Sequence, residues 1–341
     1  MTWKSAGVVV AIVSLCVWAG LSVSATVPTM QPHGRDSYRR PPAIPYPSNN
    51  PNSEAKLKLG RMLFFDPLLS GSRMRSCASC HNPSLSWGDG RARALGEGQK
   101  MLPLRSPTLL GVAWMPVLGW DGKFRNLESV AFGPITSPVN MNLHENVLIE
   151  RLAAIPAYVE AFSAAFDEGG VTRRNIELAL ATFERSITPE DAPFDHWVEG
   201  DETAINAAAK RGFALFNGKA HCSACHSGFV FSDGSFHDIG SAQGLDLGRG
   251  RMFPNSTALQ FAFKTPTLRD VVRRAPYMHD GSVATLKEVI ALYDRGGIKR
   301  PSRSPEIRPL GLTRDEKADL LAFLETLTSP AKAYSLPGLP R

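Results

Sequence analysis

The spacing of apolar positions predicts a mostly helical first half. Ser53 is a suitable N-cap for a helix that runs to about Phe64. Apolar residues recur with a helical period over residues 145–166 and again over residues 172–186, where Thr172 is a suitable cap. Strand signals are weak throughout the chain, so we expect few strands.

The second half shows the same helical bias. An alanine-rich helix is predicted over residues 204–216, followed later by glycine-rich, irregular chain over residues 228–250. A final helix is marked by a capping box between Thr313 and Glu316. Its apolar face consists of Leu320, Leu321, Phe323, Leu324 and Leu327.

Residues 1–25 have the pattern of a secretory signal peptide. Lys4 precedes a long apolar run, and residues 23–25 form a small-residue cleavage site. We therefore expect a periplasmic protein, and we read Cys16 as part of the leader. The alternative is an uncleaved membrane anchor, because the run approaches the length of a membrane span.

Proline-containing stretches divide the mature chain into segments. Residues 26–52 are rich in Pro, Asn and Ser and predict an extended N-terminal arm. Pro189 and Pro193 interrupt the helical pattern, which places a domain boundary there. We expect an N-terminal domain over residues 53–190 and a C-terminal domain over residues 200–330.

The charge is moderately basic, with 38 Lys and Arg against 32 Asp and Glu, a net charge of +6 and a pI of about 9.1. The basic residues are dispersed, and an exported protein has little access to nucleic acid, so we expect no nucleic-acid partner. Such a surface instead favours an acidic protein partner.

Two pentapeptides, at residues 77–81 and 222–226, have the pattern C-x-x-C-H. This pattern is the attachment signature of c-type haem, in which both thiols form thioethers and the histidine ligates iron. The expected attachment residues are Cys77, Cys80, His81, Cys222, Cys225 and His226. Because they use every cysteine beyond the leader, a zinc or disulfide site is disfavoured. We predict two c-type haems in a mostly α fold of two cytochrome c-like domains, each built around one covalently bound haem.

Further motifs surround the two pentapeptides in a specific order. They are LGRMLFFD at 59–66, SPTL at 106–109, WDG at 120–122, FKTPTLR at 263–269 and APYMHDG at 275–281. This order resembles the bacterial dihaem cytochrome c peroxidases and their MauG-like relatives over about residues 52–328.

The resemblance implies that the two haems have different tasks. Hydrogen peroxide would bind at the His81 haem, whose open side matches a distal-pocket proline at Pro134. The His226 haem would be six-coordinate, and Trp120 would couple the two haems. The alternative for Trp120 is an ordinary core aromatic residue.

The sixth ligand of the second haem distinguishes the branches of the family. Classical peroxidases have a methionine at the position of Tyr293, whereas MauG-like enzymes have a tyrosine, so the resemblance implies the MauG-like branch. A phenolate stabilises high-valent iron better than a thioether does. The alternative is that Tyr293 is a packed helix residue and that Met278 is the ligand.

Two departures from the family pattern are visible. Asn140 stands where a distal acid–base glutamate is expected, and an amide cannot accept the proton of peroxide. Either His144 and Glu145 supply the missing base, or they only begin the helix at residue 145.

The second departure concerns calcium. The resemblance implies one calcium ion between the haems, bound in part by the main-chain carbonyls of Arg274 and Pro276. Arg105 stands where a ligating asparagine is expected, which puts the full calcium site in doubt.

The main functional hypothesis is an exported dihaem oxidase. It would use hydrogen peroxide to reach a high-valent state shared by both irons, and would oxidise a residue of a partner protein by long-range electron transfer. Related enzymes act on tryptophan, forming a tryptophylquinone or, in a methanobactin-associated relative, kynurenine.

Two rival hypotheses differ in the use of the oxidising equivalents. A cytochrome c peroxidase would reduce hydrogen peroxide to water with electrons from a small redox protein. A pure electron-transfer cytochrome would have ligands on both faces of both irons, which Pro134 argues against.

Overall fold

The computed structural model describes residues 1–2 and 34–340, and nearly all of the regular secondary structure from residue 34 onward is helical. The α-helices are α1 (Glu54–Phe65), α2 (Phe132–Thr136), α3 (Glu145–Ala153), α4 (Pro156–Ala165), α5 (Arg173–Arg185), α6 (Pro193–Val198), α7 (Ala207–Asn217), α8 (Leu286–Arg295) and α9 (Arg314–Glu325). Strands β1 (Phe236–His237) and β2 (Phe263–Lys264) pair antiparallel, with Phe236 opposite Lys264. The prediction of a mostly α fold is confirmed.

Single 3₁₀ turns connect many of these elements. They are Arg35–Tyr38, Pro67–Leu69, Cys77–Ser79, Pro83–Leu85, Glu97–Gln99, Val112–Trp114, Cys222–Ala224, Arg249–Arg251, Thr257–Leu259 and Val271–Arg274. Both haem motifs therefore begin as 3₁₀ turns rather than as parts of long helices.

Side-chain caps start the long helices where the sequence predicts. The Ser53 hydroxyl accepts a hydrogen bond from the Lys56 backbone N–H, and the Thr172 hydroxyl accepts one from Asn175. At α9, Thr313 and Glu316 form the reciprocal capping box. Each contact satisfies a backbone donor that has no partner inside the helix.

Two predicted helices differ in extent. The periodic stretch 145–166 is two helices, because Pro156 occupies the first turn of α4 and cannot continue α3. The alanine-rich helix begins at Ala207 instead of Ala204, since the Asn206 side chain accepts the Ala209 N–H and caps the helix there.

Each half contains a pair of closely packed helices, α1 with α5 and α7 with α9. A glycine makes each approach possible. A Cβ atom at Gly60 would lie 1.9 Å from the Ala179 carbonyl oxygen, and one at Gly212 would lie 2.0 Å from that of Asp319. These helix pairs support the two haem motifs, which follow α1 and α7.

The arm that precedes α1 is described from residue 34. Its Tyr38 is fully buried in the core formed by α6, α7, α8 and α9. The predicted leader lies almost wholly outside the described residues, and the predicted domain limits stay a prediction. Among the helices that the structure describes, none is long and apolar enough to cross a membrane.

Candidate functional site

The two C-x-x-C-H pentapeptides have the same local fold. The N–H of His81 donates to the Cys77 carbonyl at 2.9 Å, and the N–H of His226 donates to the Cys222 carbonyl at 2.9 Å. Among the described residues, the cysteines of both motifs form no disulfide. Both thiols of each motif therefore remain free for thioether bonds, as c-type attachment requires.

The histidine rings of the motifs are held by backbone carbonyls. His81 Nδ1 lies 3.2 Å from the Trp87 carbonyl oxygen, and His226 Nδ1 lies 2.9 Å from that of Phe231. A carbonyl only accepts, so Nδ1 carries the hydrogen and Nε2 keeps its lone pair for iron. Burial lowers the pKa of both rings, which favours the neutral, ligating form.

The attachment cysteines are in the thiol form, which is the form that adds to a haem vinyl group. Burial raises the pKa of the Cys222 thiol to about 12 and raises that of Cys77 further. Both groups are neutral thiols at physiological pH.

A large cavity opens beside the second motif. Cys222, Cys225 and His226 form one part of its wall, and Tyr293 of α8 also lines it. The apolar lining includes Phe216, Leu286, Val289, Ile290, Leu310, Leu312, Leu320 and Leu324. An apolar cavity with two thiols and a free imidazole nitrogen fits a c-type haem.

Tyr293 and Met278 both line this cavity. The Tyr293 hydroxyl has no hydrogen-bond partner among residues 34–340, and burial raises its pKa well above the ordinary value, as do the nearby Cys225 and Cys222 thiols. Met278 is in a turn with a left-handed φ of 71°. Tyr293 therefore presents an unpaired oxygen close to the attachment thiols.

Trp120 lies on the wall of the same cavity, which continues towards Gly88 near the first motif. Its indole Nε1 donates to the Arg105 carbonyl at 3.0 Å, and its own carbonyl accepts from the Lys264 N–H at 2.8 Å. The following Gly122 has a left-handed φ of 72°, and a Cβ there would lie 2.2 Å from the Phe236 ring. The W-D-G motif thus fixes the indole by both its ring and its backbone.

Three cations line the cavity around Trp120, namely Arg105, Lys264 and Arg274. None of them forms an ion pair within the described region. Burial lowers the pKa of Lys264 to about 8 and that of Arg274 to about 10. Unpaired charges in such surroundings are costly, so these side chains suit the carboxylates at a haem edge.

The comparisons with known proteins agree with this construction. A family model described as di-haem cytochrome c peroxidase matches residues 54–203, and one described as cytochrome c matches residues 209–328. The chain is 51% identical to the methylamine utilization protein MauG of Methylorubrum extorquens, over 89% of this chain and 86% of that protein. The chain belongs to the dihaem cytochrome c peroxidase/MauG family.

Further relatives support the assignment. The methylamine utilization protein MauG of Methylophilus methylotrophus is 43% identical over 97% of this chain and 98% of its own length. The crystal structure of a MauG-like protein associated with microbial copper homeostasis is 32% identical, with a TM-score of 0.78 over 85% of this chain and 93% of that one. As a family member, the protein is a dihaem oxidoreductase that acts on hydrogen peroxide.

The expected open side of the first haem in this family member includes Pro134 and Asn140. Pro134 is part of α2, and its carbonyl accepts from the Met141 N–H at 3.1 Å. Among the described residues, the Asn140 Oδ1 atom is buried and has no hydrogen-bond partner. A buried amide oxygen without a partner is costly in the protein alone.

His144 and Glu145, the two candidate bases, lie at the start of α3. His144 is exposed and is the N-cap residue, while Glu145 forms an ion pair with Arg173 at 2.5 Å. Both positions agree with the alternative in which these residues only begin the helix. Their role in proton transfer stays a prediction.

Sequence reasoning did not single out Glu97. Its N–H donates to the Val139 carbonyl at 3.1 Å, next to Asn140 in the chain. Its Oε2 atom is buried and unpaired within residues 34–340. Glu97 is part of a single turn outside the motifs, so no local signal marked it as a carboxyl near the Asn140 segment.

His279 is a second residue that the sequence marked only as part of a motif. It is 4% exposed, its Nε2 lies 2.6 Å from an Asp246 carboxylate oxygen, and its ring stacks on Phe263 at 3.6 Å. The ring also meets Trp120 edge-on, with centroids 6.5 Å apart. His279 therefore packs against the Trp120 indole on the wall of this cavity.

The residues expected to bind calcium do not fit that ion well. Nη2 of Arg105 donates to the Arg274 carbonyl oxygen at 2.9 Å, so a cationic side chain already contacts one expected ligand. Calcium prefers about six to eight oxygen ligands, with carboxylates prominent among them. Here an arginine replaces the asparagine that would supply one of those oxygens.

Proposed function

We propose that this family member is a MauG-like oxidase that acts in the periplasm. Hydrogen peroxide reacts at the His81 site, and the resulting oxidising equivalents leave through the second site to a residue of an exported partner protein. By analogy with its MauG relatives, tryptophan is the proposed target residue.

The observation that carries this proposal is the Tyr293 hydroxyl in the cavity of His226, which has no hydrogen-bond partner in the described part of the chain. A tyrosine oxygen is a hard donor that favours oxidised iron, which suits a site that stores oxidising equivalents. The haems, when bound, supply the redox chemistry, and the chain sets their ligation and surroundings. Tyr293 would thus close the second site to peroxide.

The first site is proposed to remain open. Proline offers no side-chain ligand for iron, so Pro134 would leave the site open to peroxide. The Asn140 amide can hold peroxide by a hydrogen bond but cannot take its proton. That proton would pass to a neighbouring group, for which Glu97 joins His144 and Glu145 as a candidate.

Trp120 is proposed to connect the two sites electronically. Its hydrogen bond to Arg105 and its edge contact with His279 hold the indole in one orientation. A fixed orientation suits a relay because the coupling does not wait for a side-chain rotation. The dispersed positive charge, +6 in total, would favour an acidic partner.

The test uses the holoprotein, hydrogen peroxide and an exported protein encoded beside its gene. We expect a peroxide-dependent mass change at a tryptophan of that protein, found by peptide mass spectrometry. No modification, together with rapid peroxide turnover supported by a reduced small cytochrome or copper protein, would contradict the proposal.

That second outcome would favour the cytochrome c peroxidase alternative. One observation speaks for it, since the Met278 side chain lines the same cavity as Tyr293. A methionine ligand at the second iron would match the classical peroxidases that the sequence resembles.

A further inference from the structure

The region where the family implies calcium is occupied by an arginine side chain. Arg105 is 9% exposed, and its Nη2 donates to the carbonyl of Arg274, 169 residues away in the chain. A carbonyl oxygen that accepts this charged hydrogen bond directs its lone pair at the guanidinium. It is therefore not free to coordinate a metal ion in the same direction.

The local charge also opposes a divalent cation. The Arg105 and Arg274 side chains line the same cavity, and neither forms an ion pair within residues 34–340. The carboxylate that most attracts Arg105 is Asp89, whose Oδ2 already accepts from the Ser106 hydroxyl at 3.1 Å. A calcium ion would meet two positive charges and a carboxylate that is already engaged.

Arg105 also connects separate segments of the chain through hydrogen bonds. Its backbone N–H donates to the His279 carbonyl at 3.0 Å, and its carbonyl accepts from Trp120 Nε1 at 3.0 Å. With the side-chain bond to Arg274, Arg105 joins its own segment to the segment of Trp120 and to that of Arg274 and His279. A bound metal ion could connect carbonyls from separate segments in a similar way.

We propose that the Arg105 guanidinium takes the place of the calcium ion, so that this enzyme neither binds nor needs calcium between its haem sites. The substitution exchanges a dissociable divalent cation for a covalently attached single charge. The organisation of Trp120 is then independent of the calcium concentration.

The first test is metal analysis of the holoprotein, which does not depend on the proposed function. After dialysis against calcium and then against metal-free buffer, we expect no stoichiometric calcium by inductively coupled plasma mass spectrometry. We also expect the same thermal midpoint and ferric EPR spectrum in calcium and in EGTA. One tightly held calcium per chain, or a midpoint that falls in EGTA, would overturn the proposal.

The second test converts the site. Arg105→Asn removes the guanidinium and restores an amide oxygen, so we expect one calcium per chain and a midpoint that rises on calcium addition. Arg105→Lys keeps the positive charge and should stay calcium-free. Arg93→Asn, which changes an exposed arginine, is the matched control.

One result of the Arg105→Asn experiment would contradict the proposal. A folded Arg105→Asn protein that remains indifferent to calcium would show that the guanidinium is not what excludes the ion. Should that variant fail to fold, Arg105→Lys and the metal content of the unaltered protein still decide the question.

Discussion

The His81 and His226 sites share a frame and differ in what surrounds it. In both, a 3₁₀ turn presents the cysteines, a backbone carbonyl orients Nδ1, and a glycine-packed helix pair supports the motif. At the second site Tyr293 lines the cavity, and its oxygen has no hydrogen-bond partner among residues 34–340. At the first, the residues implied for the open side are Pro134 and Asn140.

On the proposed function, the motif fixes haem attachment but not the reactivity of the iron. Identical C-x-x-C-H turns can serve one iron that peroxide reaches and another that it does not. A few residues distant in sequence would then decide which iron is open, because they would determine whether a sixth ligand is present. The predictions below test the shared frame and that contrast.

The largest effect is expected for Tyr293→His. Imidazole is also a good iron ligand, so haem content and a low-spin second iron should be kept. A neutral ligand stabilises oxidised iron less, so oxidation of the partner protein should fall by at least about 100-fold, roughly 2.7 kcal/mol of barrier.

Met278→Leu is the companion variant for that experiment. If Tyr293 is the ligand, Met278→Leu leaves the ferric spectrum unchanged. A Tyr293→His protein with an unaltered spectrum, beside a Met278→Leu protein with an opened second iron, would reverse the assignment.

The next effect is expected for Trp120→Phe, which removes the easily oxidised indole and its hydrogen bond to Arg105. The peroxide-oxidised enzyme should decay about tenfold faster in stopped-flow absorption, roughly 1.4 kcal/mol, with both haems retained. Trp114→Phe is the control, since Trp114 packs against Phe229 at 5.2 Å and does not line the cavity. Equal behaviour of the two variants would make Trp120 a packing residue only.

A gain is expected for Asn140→Glu at the first site. A carboxylate can accept the proton of peroxide where an amide cannot, so the rate constant of the peroxide reaction should rise about tenfold, which is less than the roughly 100-fold or more that a well-positioned general base contributes. Asn146→Glu, an exposed position on α3, controls for the added charge. An unchanged rate would mean that another group, such as Glu97 or Glu145, already accepts the proton.

The smallest effect on the reaction with peroxide is expected from glycine substitutions in the helix pairs. Gly60→Ala and Gly212→Ala each force a methyl group against a backbone carbonyl, which should lower the free energy of unfolding by about 1–3 kcal/mol. Gly338→Ala, where a Cβ meets nothing within 4 Å, is the control. Thermal denaturation followed by circular dichroism measures all three, and a neutral Gly60→Ala would mean that the pair separates easily.

Most of the fold could be predicted from signals between residues that are close together in the sequence. Ser53, Thr172 and Thr313 marked helix starts because capping involves residues only three positions apart. The split at Pro156 was missed because the apolar period continues across it. A proline can mark the first turn of a helix, but this signal is recognised in a sequence only where a new helix is already expected.

The candidate site was harder than the fold to predict from residues that are close together in the sequence. The attachment cysteines and histidines form short motifs, whereas the bond from Arg105 to Arg274 and the contact of His279 with Trp120 join residues far apart in the chain. Sequence could show that Arg105 replaces an expected asparagine. It could not show that the guanidinium bonds to the Arg274 carbonyl.

The most direct test of the contrast between the sites is low-temperature EPR of the ferric holoprotein. The account predicts two signals of equal weight, a high-spin iron from the open His81 site and a low-spin iron from the His226 site closed by Tyr293. Low-spin signals alone would mean that both irons carry two protein ligands, which contradicts an open peroxide site.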